Sequence, residues 1–322
     1  MNMQAARFEN ETPLRIARAI LRADDEAMLR RIAIAAAPLD NAFTPAIIWY
    51  TIFAQNVRKL TRSPAHLEYA SAETTPPDAL REPISVHAVA KILRMPYETV
   101  RRQIVTLESR GLCTRIPEKG LIIPSETFAR PEIFGQVALG GQSLRTLICD
   151  LARVGFDFAG LRAAVAVPLP APAAEQPPAR AMTRLGAQYV LELFDILRKA
   201  MGDDLMKAIF YLAIATANTR DAAAAEPAPD FGRADALVPD ELRRPISVLA
   251  LSGMMKVPYE TLRRALATLE RDGVLRRVKR LGLIVPAEVQ AQVENEGLVR
   301  KRLQLLRHYL TALLEAGVDL PG

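Results

Sequence analysis

The sequence repeats itself after 162 residues, and this repeat constrains the fold more than any other feature. Between residues 83–124 and residues 245–286, 20 of 42 positions are identical, and the alignment needs no gap. The same offset pairs Asn56 with Asn218 far outside that block. Solenoid repeats recur every 20 to 50 residues or so, whereas this unit is several times longer. The sequence therefore predicts a duplicated domain.

The duplication also predicts where the domains begin and end. We expect a first repeat unit over residues 14–160, a linker over residues 161–180 and a second repeat unit over residues 181–322. The linker is rich in proline and alanine, a composition that is typical of extended spacers without a packed core. The most similar blocks, residues 81–124 and 243–286, lie inside the two repeat units.

Each block predicts two short helices followed by a β-hairpin. Ser85 and Ser247 are good N-caps for a first helix, and Pro96 and Pro258 open a second helix. Apolar residues recur along one face of the second helix, glycine ends it, and two β-rich runs follow. This is the element order of a winged helix-turn-helix. The expected fold class is mainly α with small β-hairpin wings, a tandem duplication of a helical unit containing that motif.

Residues 245–277 (PISVLALSGMMKVPYETLRRALATLERDGVLRR) resemble the DNA-binding core of bacterial winged-helix regulators of the GntR and MarR type. The likeness rests on residues 261–263 (TLR) early in the second helix and on residues 269–274 (LERDGV) before the hairpin. Residues 99–101 and 107–112 match in the first repeat. The resemblance covers about 42 residues in each half. It implies double-stranded DNA as the partner, read by one recognition helix in each repeat.

The turn between the two helices departs from this family pattern. Arg94 and Lys256 occupy a position where those families often have glycine. A Pro-Tyr pair follows where they often have Ser-Arg. The departures leave the predicted fold unchanged, but they affect which residues read the bases.

We expect the DNA contacts to come from the start of the second helix and from the hairpin. Arginine at such a helix start reaches guanine edges or phosphates in the major groove. Tyrosine there either binds the sugar-phosphate backbone or packs against the turn, and threonine either contacts DNA or bonds locally. The predicted contact residues are Tyr97, Thr99, Arg101, Arg102, Arg115 and Lys119 in the first repeat, and Tyr259, Thr261, Arg263, Arg264, Arg276, Arg277, Lys279 and Arg280 in the second.

A structural interpretation competes with DNA contact at the arginines and at the hairpins. Glu260 and Arg264, spaced i, i+4, are expected to pair within the helix if the arginine is not a DNA ligand. The basic hairpins are otherwise ordinary solvated charges. Residues 263–280 contain seven basic and two acidic residues, against five and two in residues 101–119. We therefore predict that the second repeat binds DNA more tightly.

Composition narrows the remaining function classes. The net charge of +6 and the pI of about 9.5 favour a polyanionic partner. Two cysteines and three histidines form no metal-binding motif, so we expect no metal, no cofactor, and cysteines that are small apolar filler. No nucleophile–base pair is visible, which predicts a protein that is not an enzyme. The most apolar run, residues 42–54, is too short to cross a membrane, and we expect a cytoplasmic, nucleoid-associated protein.

The leading hypothesis is a sequence-specific transcriptional regulator with two covalently linked modules. The alternatives are a replication or chromosome-organising factor that binds DNA, and a scaffold whose winged helices bind other proteins. Homodimerisation through the terminal helices stays open, and no effector is identified. The aromatic residues Trp49, Tyr50 and Phe53, with Phe210 and Tyr211 in the second repeat, either line an effector pocket or pack in the core.

Overall fold

The structure is a computed structural model that describes residues 16–165, 178–224, 231, 233 and 235–321. Most of the predicted linker, residues 166–177, lies outside the described residues. The ends of that linker are helical, because one helix spans Phe158–Ala164 and the next spans Ala179–Ala200. The prediction of an extended spacer is therefore wrong at both ends of residues 161–180.

The described chain is mainly helical with two small antiparallel hairpins, as the sequence predicts. The helices of the first half are α1 (Ala17–Ala36), α2 (Phe43–Asn56), α3 (Arg58–Thr61), α4 (Val86–Leu93), α5 (Tyr97–Ser109), α6 (Pro131–Arg153) and α7 (Phe158–Ala164). Those of the second half are α8 (Ala179–Ala200), α9 (Leu205–Ala224), α10 (Val248–Met255), α11 (Tyr259–Arg271), α12 (Ala287–Val293) and α13 (Glu296–Glu315). The strands are β1 (Thr114–Ile116), β2 (Gly120–Ile122), β3 (Arg276–Val278) and β4 (Gly282–Ile284). From α1 and α8 to β2 and β4, equivalent elements begin 162 residues apart.

Contacts divide the chain into two compact units, and each unit draws on both sequence repeats. The first-hairpin unit contains the described residues of 30–148, 158–192 and 308–322. The second-hairpin unit contains the described residues of 1–29, 149–157 and 193–307. The predicted repeat units follow the duplication in the sequence, whereas the compact units regroup segments that lie far apart along the chain.

Each unit carries one helix–turn–helix–hairpin module, built as the local sequence predicts. The Ser85 and Ser247 hydroxyls accept hydrogen bonds from backbone amides three residues on, each at 3.1 Å. Pro96 and Pro258 stand directly before α5 and α11. The apolar faces of these helices are buried, through Val100, Ile104 and Leu107 in α5 and Leu262, Leu266 and Leu269 in α11.

A buried asparagine ties each hairpin to the helix before the module. The Asn218 side chain donates to the backbone oxygens of Arg244 and Leu283 and accepts from the Val285 amide at 2.9 Å. Asn56 makes the same three bonds in the first half. A Cβ on Gly120 would lie 2.6 Å from the Ile84 carbonyl oxygen, so this close approach requires glycine. The hairpin is therefore held by the backbone of the residues that open its own module.

No single helix in the described ranges is long and apolar enough to cross a membrane; one pair of helices bent by 101°, within Ala17–Asn56, passes the same length and composition test. Cys113 is buried, and burial raises the pKa of its thiol to about 12. Cys149 is exposed, so the prediction that both cysteines fill apolar space is wrong for Cys149. Among the residues that the structure describes, no three His, Cys, Asp or Glu side chains group as a metal site.

Candidate nucleic-acid interface

The start of α11 presents its polar face to solvent. Leu262 is buried, while the Tyr259 side chain is 45% exposed. Thr261, Arg263 and Arg264 are exposed beside it. At about 100° per residue, Arg264 lies roughly 200° around the helix from Leu262 and points away from the core. The first turn of α11 is thus free to approach a large partner.

Glu260 pairs with Arg263, and not with Arg264, which the i, i+4 spacing predicts as its partner. Its carboxylate accepts bonds from Arg263 Nε and Nη2, at 3.0 to 3.1 Å. This hydrogen-bonded pair lowers the pKa of Glu260. The Glu260–Arg264 pair of the competing structural interpretation is therefore not formed. No ion pair involves Arg264 within the described part of the chain.

One ion pair links strand β3 to α11. Arg277 donates to both carboxylate oxygens of Glu270, at 2.7 and 3.0 Å. This bond is the main cause of the raised pKa of Arg277, and the Tyr259 hydroxyl adds to it. Arg276 pairs with Asp240 outside the module. The Tyr259 side chain at the start of α11 thus lies near the guanidinium of Arg277 in β3.

The tip of the second hairpin carries two exposed cations, Lys279 and Arg280. The backbone of Arg280 is left-handed, with φ of 61°, which forms the tight reversal between the strands. Neither side chain has an ion-pair partner among the described residues. Together with Arg264, they are the site residues of the second module whose charge is not matched by a nearby carboxylate.

The first module repeats this design with less positive charge. Arg101 pairs with Glu98 through two bonds of 2.7 and 2.8 Å, and Arg115 lies 3.3 Å from Glu108. Arg102 and Lys119 are exposed, with no ion pair in the described ranges. The tip position of Arg280 is taken by Glu118, which has the same φ of 61°.

The remaining predicted contacts of the first module lie at the start of α5. Tyr97 is 49% exposed, much like its counterpart Tyr259. Thr99 is half-buried. The first module therefore offers fewer unmatched cations than the second, and its hairpin tip carries a carboxylate.

The turn between the two helices holds a pair of cations that the sequence-based site omitted. Arg94 and Lys256 have left-handed backbones, with φ of 52° and 51°, and both are exposed. Glycine adopts this conformation without strain, so a basic residue here departs from backbone preference. The signal was present in the sequence as the missing turn glycine. Arg94 and Lys256 join the candidate interface because they lie just before α5 and α11.

The chain was compared with protein-family models, with curated proteins and with solved structures, and nothing matched in any of the three comparisons. The assignment of a function therefore rests on the residues of the two modules.

Proposed function

We propose that this chain binds double-stranded DNA through two winged helix-turn-helix modules, residues 81–124 and 243–286, and acts as a sequence-specific transcriptional regulator. The observation that carries the proposal is the repeated exposed cation at one position of the second helix. Arg102 and Arg264 point to solvent there, while the preceding arginine of each pair binds a glutamate of its own helix. An arginine at a helix start that is not matched by a carboxylate is suited to grip guanine or phosphate.

The hairpins add contacts that do not depend on base sequence. Lys279 and Arg280 stand at the tip of the second hairpin, and Lys119 stands near the tip of the first. Cations on such a wing neutralise phosphates and release counterions, which favours binding at low salt. The paired arginines Arg276 and Arg277 contribute less, because a phosphate has to compete with Asp240 and Glu270 for them.

Two modules in one chain take the roles of the two subunits of a dimeric helix-turn-helix protein. When one module is bound, the covalent connection raises the effective concentration of the other at a neighbouring half-site. A dimeric helix-turn-helix protein reads two half-sites separated by about one helical turn of DNA. We propose the same reading of two half-sites by a single chain.

The salt dependence of duplex binding tests the proposal. The five unmatched cations are Arg102, Lys119, Arg264, Lys279 and Arg280. If each neutralises one phosphate, log Kd will change with log salt concentration with a slope of about 4 to 5. The measurement is fluorescence anisotropy of a labelled duplex titrated with the full chain at a series of salt concentrations.

No duplex binding at low salt would overturn the proposal and leave the protein-interaction scaffold as the better hypothesis. Salt-sensitive binding does not separate a regulator from a replication or chromosome-organising factor. Mapping the bound sites across a genome does so, because promoters are expected for a regulator and origins or dispersed sites for the other role.

The inequality of the two hairpins gives a matched pair of variants. Arg280→Glu places the acid of the first tip on the second, and Glu118→Arg does the reverse. We expect the first change to weaken duplex binding and the second to strengthen it, by roughly tenfold each at low salt. Both positions are exposed and share the same φ, so folding should be unaffected. The same change in Kd for both variants would contradict a role for the tips.

A further inference from the structure

The first-hairpin unit contains a cavity of about 100 Å³. Its walls are largely apolar and include Trp49, Phe53, Phe128, Val137 and Leu144. Trp49, Tyr50 and Phe53 were expected either to pack in the core or to line a pocket, and they line this cavity. The aromatic residues for which the same two roles were expected in the second half, Phe210 and Tyr211, are each 2% exposed and pack in the core. An apolar engineered cavity of about 150 Å³ accepts benzene, so this smaller space is close to the lower limit for one small ring or a short chain.

Four arginines also line this apolar space: Arg31, Arg81, Arg180 and Arg184. Arg184 is 3% exposed and donates from Nη1 and Nη2 to the backbone oxygens of Tyr69 and His66, both at 2.7 Å. Its Nε has no protein partner in the described ranges, and neither has Nη1 of Arg81 or of Arg31. The backbone carbonyls hold the guanidinium of Arg184 in place without neutralising its charge.

The charge of Arg184 lacks the carboxylate partner that Arg81 and Arg180 have. Burial is the main cause that lowers its pKa to about 10, and the neighbouring charges of Arg180 and Arg81 lower it further. Arg81 has Asp78 at 3.2 Å, and Glu73 acts on Arg180. Among the described residues, no carboxylate acts on Arg184. A buried cation of this kind is costly unless an anion joins it.

The second-hairpin unit shows how the other copy of this site is neutralised. At the 162-residue offset, Arg18 is the counterpart of Arg180, and Arg22 is the counterpart of Arg184. Arg18 binds Glu294 at 2.8 Å, and the carboxylate of Glu294 also accepts bonds from Tyr211 and Gln290. The cavity there is about 30 Å³. Glu26 and Asp25 oppose the lowering of the pKa of Arg22, which has burial as its main cause.

These internal acids have no equivalent beside the first cavity. Asp24 and Asp25 correspond to Gly186 and Ala187, and the counterpart of Glu294 is Glu132, which is exposed. The polar partners of Glu294 are replaced as well, since Trp49 stands for Tyr211 and Phe128 for Gln290. The chain has thus kept these two arginines in both units. Carboxylates act on both Arg18 and Arg22 in the second-hairpin unit, whereas in the first-hairpin unit Glu73 acts on Arg180 and no described carboxylate acts on Arg184.

We propose that the cavity of the first-hairpin unit binds a small carboxylic acid with an apolar, ring-sized body. The carboxylate bonds the guanidinium of Arg184, with help from Arg180 or Arg31. It supplies the negative charge that Glu26 and Asp25 supply to Arg22, the counterpart of Arg184, in the other unit. A planar guanidinium binds a carboxylate through paired hydrogen bonds, and the aromatic walls take the apolar body.

Fluorine NMR of the full chain with para-fluorobenzoate as the probe tests the site. We expect saturable binding of this acid, and no comparable binding of the uncharged para-fluorobenzamide or of inorganic phosphate. Arg184→Gln should weaken binding of the acid roughly ten- to hundredfold. Arg22→Gln, the same change at the equivalent position of the second-hairpin unit, should leave the affinity within about twofold.

A second variant keeps the test sound if Arg184→Gln disturbs the turn that it supports. The Gly186→Asp variant gives the first-hairpin unit a carboxylate at the position that Asp24 occupies in the second-hairpin unit. The added Cβ would lie 2.6 Å from Arg31 Nη1, the mobile end of a side chain, so the new carboxylate meets a cation. We expect the Gly186→Asp variant to stay folded and to lose its binding of para-fluorobenzoate.

Each of three results would overturn the proposal: no saturable binding of para-fluorobenzoate, equal binding of the amide or of phosphate, or full binding by folded Gly186→Asp. In any of these cases the arginines would serve only to hold the backbone of residues 63–80 in place.

Discussion

Replacing Arg264 with alanine is expected to weaken duplex DNA binding by roughly 5- to 150-fold, the range for loss of a contact worth about 1–3 kcal/mol. Its neighbour Arg263 should matter less, because Glu260 already holds its guanidinium through Nε and Nη2. The two single variants, Arg264→Ala and Arg263→Ala, therefore separate DNA contact from helix pairing. The measurement is the Kd for a fixed duplex at one salt concentration.

The first module provides the matched control. Arg102→Ala should weaken binding less than Arg264→Ala, because the module that carries Arg102 has fewer unmatched cations. Glu260→Gln should strengthen binding, since it releases Arg263 and removes a negative charge from the interface. Equal and small effects of Arg263→Ala and Arg264→Ala, in folded proteins, would show that α11 is not a recognition helix.

Arg302→Met is expected to destabilise the second-hairpin unit by about 3–5 kcal/mol, the usual result of removing one partner of a buried ion pair. Arg302 is 1% exposed and lies 3.5 Å from Asp24, and it also pairs with Asp25. Without the guanidinium, two buried carboxylates remain side by side. The free energy of urea unfolding measures the loss.

An exposed arginine of the same helix is the control for that experiment. Arg300 pairs with Glu296 at 2.6 Å on the surface of α13. Arg300→Met should change the free energy of unfolding by only about 0.2–0.5 kcal/mol. Similar losses in Arg300→Met and Arg302→Met would contradict the buried cluster.

The pH dependence of unfolding has a sign that this cluster determines. Burial raises the pKa of Asp25 to about 7, Arg302 opposes that rise, and Asp24 adds to it. A carboxyl whose pKa is higher in the folded than in the unfolded chain binds its proton more tightly when folded. The contribution of Asp25 is therefore most favourable at low pH and is lost as pH rises towards 7. The loss caused by Arg302→Met should accordingly be smaller at about pH 5 than at about pH 8.

Local elements of the fold were predictable because they depend on neighbours in sequence. A serine before an apolar helix caps it, a helical period buries Leu262, Leu266 and Leu269, and a glycine ends the helix. Boundaries were less accurate. The strands are shorter than the β-rich runs, since β1 and β3 span three residues each.

The candidate interface was predictable as a set of residues, but not as a set of available charges. Periodicity places Arg263 and Arg264 on the exposed side of α11, yet spacing alone assigns Glu260 to the wrong arginine. Side-chain direction decides that pairing, and i, i+3 and i, i+4 neighbours both lie within reach on a helix. The partners of Arg276 and Arg277 depend on contacts across the module that the order of residues does not specify.

The duplication, its offset and the order of elements in each half follow from the sequence by itself, because identity at matched positions and local periodicity are properties of the chain. Only the tertiary structure decided which segments share a unit, since each unit joins residues from both repeats. It also decided the difference between the two arginine sites. Arg18 pairs with Glu294, which lies 276 positions away, whereas Arg184 bonds only backbone carbonyl oxygens among the described residues. A long-range contact of this kind depends on how helices pack, and no pattern of neighbouring residues records it.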